Sequence, residues 1–238
     1  MGISATQLQI YDDCPYKYYL SYIKSLDAMM YDITVFDVGT QVHDAIDEYY
    51  RKYFNPKASK EFILYEVYGI LKKNWDNFLA PEKLKYAYDC IVNFSDFEFN
   101  RLQKDTYKPL TELKIGADGY YGIVDFFNPA NKKAIDWKTG KNAYLSRSYR
   151  IQSVVYKILL DKEFKTDLEV FNFRFLRQNV PIKVDLKSKK MEEIFDFVSE
   201  GKNNIIKSRK NGEWEKNPRT NKMCRWCDFR FYCKRLGI

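Results

Sequence analysis

The chain has 238 residues, 45% apolar and 17% aromatic, which excludes a disordered polymer and provides for a sizeable core. Forty Lys and Arg against 32 Asp and Glu leave a net charge of +8, which suits an anionic partner such as nucleic acid and equally a lysine-rich surface. No run of 18 apolar residues and no basic-then-apolar leader occurs, so neither a membrane span nor a secretory signal is expected, and the chain reads as intracellular, in the cytoplasm.

The first hundred residues have helical periodicity. In "CPYKYYLSYI" (14–23) aromatics and Leu20 recur at helical spacing, and in "VFDVGTQVHDAIDEYYRKYF" (35–54) Val38, Val42, Ala45, Ile46 and Tyr49 form one stripe, closed by Asn55-Pro56. Two further helices are expected over about 59–79 and 82–104, separated at Pro81. After Pro109 the period becomes two: "LTELKIGA" (110–117), "YYGIVDFF" (120–127) and "KKAIDWKT" (132–139) read as three strands. The "NPAN" turn (128–131) joins the last two, because Asn and Pro preset turn geometry. A helix over 146–164, strands over 168–177 and 180–186, a charged helix near 188–210 and a cysteine-rich tail complete the chain.

Pairing the hairpin symmetrically about residues 130 and 131 sets Asp125 opposite Asp136. Facing carboxylates repel, and a divalent cation between them converts that cost into binding, with oxygen donors suited to Mg²⁺ or Mn²⁺. Side chains alternate along a strand, so Lys138 shares the face of Asp136 while Trp137 points into the core and leaves its carbonyl near the metal. Such a set suits phosphodiester hydrolysis; charged strand ends without function are also common. The five cysteines of an intracellular protein point to metal or cluster ligation in preference to disulfides. Cys90, on an apolar helix with no partner at ligand spacing, reads as a small buried hydrophobe.

In order along the chain, "SATQLQIYDDCPYKYYLSYI" (4–23), "GTQVH" (39–43), "YGIVDF" (121–126), "DWKTG" (136–140), "QSVVY" (152–156) and "CRWCDFRFYC" (224–233) resemble the RecB-like branch of the PD-(D/E)xK nucleases. Within it they are similar to the iron–sulfur nucleases grouped with the CRISPR-associated RecB-like exonuclease and the AddB nuclease domain. The resemblance implies a single α/β nuclease domain over 1–238. It comprises a helical part (1–105), a restriction-endonuclease-like core with a mixed central sheet flanked by helices (106–210), and a cluster-binding tail (211–238) joined to Cys14.

It also implies roles. His43, Asp125 and Asp136 would ligate Mg²⁺ or Mn²⁺, assisted by the Trp137 carbonyl; Lys138 would be the catalytic lysine; Gln152 and Tyr156 would position it and the substrate strand. Glu112 would lie outside the ligand shell. Cys14, Cys224, Cys227 and Cys233 would hold a [4Fe–4S] cluster, with zinc as the alternative occupant, since spacing alone does not separate the two. The implied activity is metal-dependent DNA cleavage, by an exonuclease on single-stranded or end-containing DNA. Repair and recombination, CRISPR adaptation and viral genome processing are all open. The alternative is a DNA-binding or scaffolding subunit on an inactive nuclease fold. No P-loop is present, because Gly140-Lys141 is followed by Asn142 and the upstream glycine position is Ile135. Coupling to ATP would therefore need a helicase partner, just as adaptation would need CRISPR partner proteins. Arg147, Arg150, Arg225, Trp226, Phe229, Arg230, Phe231 and Lys234 are candidate nucleic-acid contacts.

Overall fold

The computed structural model describes residues 2–27, 34–75, 80–220 and 222–235, and the side chains of 34–37, 234 and 235 lie outside that description. A mixed five-stranded sheet, in the order β1 (Leu110–Ala117), β2 (Tyr120–Asn128), β3 (Lys133–Lys138), β4 (Val170–Phe175) and β5 (Val180–Asp185), forms the centre. Neighbouring strands are antiparallel except β3 and β4, which run parallel because helix α6 (Arg147–Phe164) crosses between them. This is the restriction-endonuclease-like α/β arrangement expected from the sequence.

One face of the sheet is covered by α1 (Ala5–Asp13), α6 and α7 (Glu192–Asn211). Their Leu8, Ile151, Val155, Leu159, Val198 and Ile205 pack with Val124, Phe127, Phe171 and Phe173. Over the other face lie α3 (Thr34–Glu48), α4 (Lys60–Asn74) and α5 (Pro81–Leu102), whose apolar stripes meet Phe126, Ile135 and Trp137. Trp137 is 1% exposed, with Phe94, Phe97 and Phe126 set edge-on around its ring at 5.2–5.9 Å. Cys90 is fully buried in the same layer. The expected helix over 59–79 corresponds to α4, and its last residues, 76–79, lie outside the described residues.

At the "NPAN" turn, Asn128 Oδ1 accepts from Ala130 N at 2.9 Å and Asn131 Oδ1 accepts from Lys133 N at 3.2 Å, so side chains replace ladder partners where the chain reverses. The resulting register pairs Phe126 with Ile135 and Asn128 with Lys133.

One charged group is sealed inside the α3–α5 layer. The guanidinium of Arg101 donates to both oxygens of Glu98, at 2.7 and 2.6 Å, and to the carbonyls of Asp105 and Tyr107. Tyr50 Oη adds a 2.7 Å bond to Glu98. The side chains are 2% and 0% exposed, so each charge depends on the other. Glu98→Ala strands the guanidinium and should cost about 3 to 5 kcal/mol in denaturant unfolding. A loss below about 1 kcal/mol would mean that Arg101 finds another acceptor.

Candidate active site

The site lies where β2 and β3 part company. The register that pairs Phe126 with Ile135 would, one step further, set Asp125 opposite Asp136, but the ladder ends before that step. In its place Trp137 N donates to Asp125 Oδ2 at 2.8 Å, a carboxylate standing in for a backbone carbonyl. The pairing with β1 is disturbed at the same level. Thr111 pairs with Phe126 and Leu113 with Val124, passing over Glu112, whose φ of 44° is left-handed. Such a conformation is strained for a residue with a Cβ, and here it turns the Glu112 carboxylate toward Asp125.

Helix α3 supplies the imidazole. Val42, Ala45, Ile46 and Tyr49 bury one stripe of the helix, and Gly39 brings its backbone down onto the end of β3, where a Cβ would stand 3.1 Å from Thr139 Oγ1. One turn later His43 reaches the strand ends, with Nδ1 3.4 Å from Asp125 Oδ2. Ligand atoms of His43, Glu112 and Asp125 all lie within 4.8 Å of one another, a set able to hold a divalent cation. The Trp137 backbone hydrogen-bonds His43, which favours the charged imidazole.

Helix α6 supplies the polar partners from the opposite face. Gly122 allows its close approach: a Cβ there would meet Tyr156 Cε1 at 2.8 Å and Leu159 Cδ1 at 2.9 Å. Gln152 donates to Asp136 Oδ1 at 2.5 Å and to Tyr156 Oη at 3.1 Å, and its own Oε1 accepts from Lys138 Nζ at 3.0 Å. Lys138 Nζ is also 2.7 Å from Asp136 Oδ2, in an ion pair rather than an aligned hydrogen bond, and no other donor among the described residues reaches that oxygen. The rings of Tyr149 and Phe173 flank the ammonium at 4.7 and 5.4 Å. Beyond β3, Gln178 Nε2 donates to the carbonyls of Gly140 and Lys141, tying the following loop to the end of β4.

Electrostatics follow from this packing. Burial, then the charges of Asp136 and Glu112, push the Asp125 carboxyl well above its ordinary range. Glu112 is raised by burial and by Asp47, Asp44 and Asp136. Burial lowers His43, favouring the neutral imidazole that ligates metals. For Lys138, burial opposes the charge, but attraction to Asp136 prevails and holds the ammonium protonated. Burial, with Asp136 and Asp125 adding to it, raises Tyr156 and keeps its hydroxyl a neutral hydrogen-bond partner.

The structure thus brings His43, Asp125, Trp137 and Lys138 together around one cavity of about 500 Å³, which Asp44, Glu112 and Tyr149 also line. Asp136, Gln152 and Tyr156 do not line it and join the cluster through their contacts with Lys138 and one another. Glu112 stands closer to His43 and Asp125 than the sequence suggested. Nothing local foretells this, because a glutamate in an alternating strand gives no sign of a positive φ.

The four cysteines line a second cavity, of about 800 Å³. Cys14 separates α1 from α2 (Pro15–Tyr18), and its neighbours are clamped to the tail: Tyr16 N donates to Glu215 O, Arg219 N donates to Asp13 O, and Trp214 stacks on Tyr18 at 5.3 Å. Burial pushes up the Cys227 and Cys233 thiols, and the nearby Cys14 adds to both. Of the candidate nucleic-acid contacts, Trp226 is 85% and Phe231 53% exposed, and Arg225 and Arg230 are exposed beside them. Phe229 is not such a contact: it is 2% exposed, just before the short helix α8 (Arg230–Arg235), whose Tyr232 ring lies 6.2 Å from its own. Arg147 is engaged by Asp12 and Glu193, each at 3.0 Å, and Arg150 lies against the Met191 sulfur. The Lys234 side chain lies outside the described residues. No helix among the described residues is long and apolar enough to cross a membrane.

The family model described as the PD-(D/E)XK nuclease superfamily matches residues 2–234, nearly the whole chain. This chain belongs to the PD-(D/E)XK nuclease superfamily.

Proposed function

We propose that the chain is one nuclease domain of the RecB-like branch, a Mg²⁺- or Mn²⁺-dependent deoxyribonuclease acting as an exonuclease on single-stranded or end-containing DNA. The observation that carries this reading is the Lys138–Gln152–Asp136 triangle set against the converging ligand atoms of His43, Glu112 and Asp125. A divalent cation, when bound, would lower the pKa of water from about 16 toward about 7 and so supply a nucleophile. The donors fit it: two carboxylates and a neutral imidazole converge, and Asp136 and the Trp137 carbonyl complete the candidate ligands. The remaining work falls to the chain itself. Lys138 offers a fixed positive charge to a phosphate entering the cavity, where low dielectric strengthens it. Gln152 fixes the Lys138 and Asp136 side chains relative to each other, and Tyr156 braces Gln152 from below. Tyr149 and Phe173 close the flanks of the ammonium and limit the water that would compete with a phosphate.

In the tail, four cysteines around one cavity suit a [4Fe–4S] cluster, and zinc is the alternative occupant. Either group, when bound, cross-links the chain through thiolate bonds. The cysteines themselves place residue 14 against residues 224–233, so occupancy would join the two ends of the domain and contribute directly to folding free energy. The exposed Trp226 and Phe231 between cations suit stacking of unpaired bases. Repair, recombination, CRISPR adaptation and viral genome processing all use such an activity, and a helicase or adaptation protein is the class of partner it would serve.

Two experiments test these assignments. With end-labelled single-stranded DNA and Mg²⁺ or Mn²⁺, the wild type should cut and Lys138→Ala should be slower by about 10²- to 10³-fold, with binding retained. Binding without cleavage by the wild type under either metal would make the chain a scaffolding subunit. Separately, Cys227→Ser should lose both the brown colour of an iron–sulfur protein and thermal stability; a colourless wild type carrying zinc would overturn the cluster.

A further inference from the structure

The helices α3–α5 cover their face of the sheet only as far as β3. On β4 and β5 the same face is open and, with Phe97 of α5, lines a groove of about 760 Å³. The floor is apolar, with Phe97, Ile135 and Pro181, and four cations border it. Lys132 and Lys133 stand at the start of β3, Arg174 in the middle of β4 and Lys183 on the edge strand β5. Strand pairing aligns Ile135, Asn172 and Lys183 in one row, and Trp137, Arg174 and Pro181 in the next, so Arg174 and Lys183 share the open face. From β3 to β5 the cations therefore span two strand spacings, about 10 Å.

Three features show that this charge is available. The Arg174 Nε is buried and finds no hydrogen-bond partner among the described residues, although its Nη2 bonds Asn179. Lys133 is lowered by burial and by the like charges of Arg101 and Lys183, which oppose the attraction of Asp105 and Glu98; an anion in the groove would relieve that stress. The two carboxylates on the rim are already taken, Asp167 by Lys157 and Lys187 at 3.0 Å each and Glu169 by Lys187 at 2.5 Å. The half-buried ring of Phe97 lies between two of the cations, 5.3 Å from Lys133 Nζ and 5.6 Å from the Arg174 guanidinium. Donors for a small anion would converge on one point. These are strung across two strands beside an aromatic ring, which is the form of a platform for a single-stranded polyanion.

We infer that the open face of β3–β5 is a second binding surface for single-stranded nucleic acid, holding backbone phosphates on Lys132, Lys133, Arg174 and Lys183 away from the cleavage site. The inference rests on the reading of the chain as a nuclease. Lys138 ends the strand that Lys133 begins, five residues or about 17 Å away, so a strand long enough to span both surfaces would be held at two places.

The test uses the double variant Lys132→Ala/Lys183→Ala, both side chains being exposed, with Arg174→Gln as a second variant. Binding is read by fluorescence anisotropy over a salt series with a short oligonucleotide and with a long single strand, alongside cleavage of each. We expect the double variant to bind the long strand about tenfold more weakly. The slope of log K against log salt should fall by about 0.7 for each phosphate that is no longer neutralised, about 1.4 in all, while the short oligonucleotide is cut as by the wild type. Arg174→Gln should weaken the long strand in the same direction. Unchanged long-strand affinity and slope in both variants would overturn the inference. So would a double variant that keeps the strand but loses binding to polyglutamate, since the face would then recognise an acidic protein segment. The two readings fail separately: cleavage of the short oligonucleotide reports on the catalytic site, and the gain in affinity with length reports on the groove.

Discussion

Two carboxylates, Asp125 and Asp136, meet at the end of a hairpin and are almost fully withdrawn from water, at 9% and 2% exposure. Like charges so placed repel more strongly than they would in solvent, and each also loses its hydration. Much of the surrounding structure compensates for this single arrangement. Asp125 takes the Trp137 amide, Asp136 takes Gln152 and the charge of Lys138, and the anchors of these partners reach far into the fold. Trp137 is locked among the aromatic rings of the α3–α5 layer, and Gln152 lies on a helix that could not approach so closely without Gly122. Both cores of the molecule thus end at the same polar cluster, one on each face of the sheet.

That cluster was legible in the sequence to the extent that strand chemistry is local. Alternation places Asp136 and Lys138 on one side, and the "NPAN" turn fixes the register that brings Asp125 across from them; both depend on residues close together in the chain. Helix periodicity likewise places the stripe of α3 and the approximate bounds of α6. What the sequence hid depends on how separate elements meet. Glu112 looks like an ordinary strand residue until its φ of 44° aims it at Asp125. Phe229 sits in a run of basic and aromatic residues that suggests a nucleic-acid surface, yet it is buried while Trp226, three residues earlier, stands in water. The cations of the open face come from a turn and two strands, and no one of these segments carries a signal alone.

The tail illustrates the same division. Pairing Cys14 with three cysteines more than two hundred residues later is not a spacing that physics alone reads as a site. The structure supplies the connection through backbone: Tyr16 and Asp13 bond directly to the segment 215–219, and the Tyr18–Trp214 stack closes the contact. These bonds gather the thiols before any metal is considered. A metal group proposed for these thiols would therefore tighten an existing closure and contribute less than if the two ends had to be brought together from a free chain.

Charge distribution links the cleft to the remainder of the surface. Asp44, Glu112 and Asp125 line the cavity with carboxyl groups, Asp136 is paired with Lys138 beside them, and among the described lining residues Lys138 is the one lysine or arginine. A bare phosphodiester is repelled by such a site. A divalent cation reverses the sign locally, but only over a few ångströms at physiological salt, because screening falls within about 8 Å. Long-range attraction must therefore come from elsewhere, and the net charge of +8 is available for it only where lysines and arginines are not already paired. Arg147, Lys157 and Lys187 are engaged by acidic partners, whereas Lys132 and Lys183 stand exposed along the open face of the sheet. On the proposed reading, the acidity that would hold a metal shifts the attraction for a polyanion outward, to surfaces at a distance from the cavity.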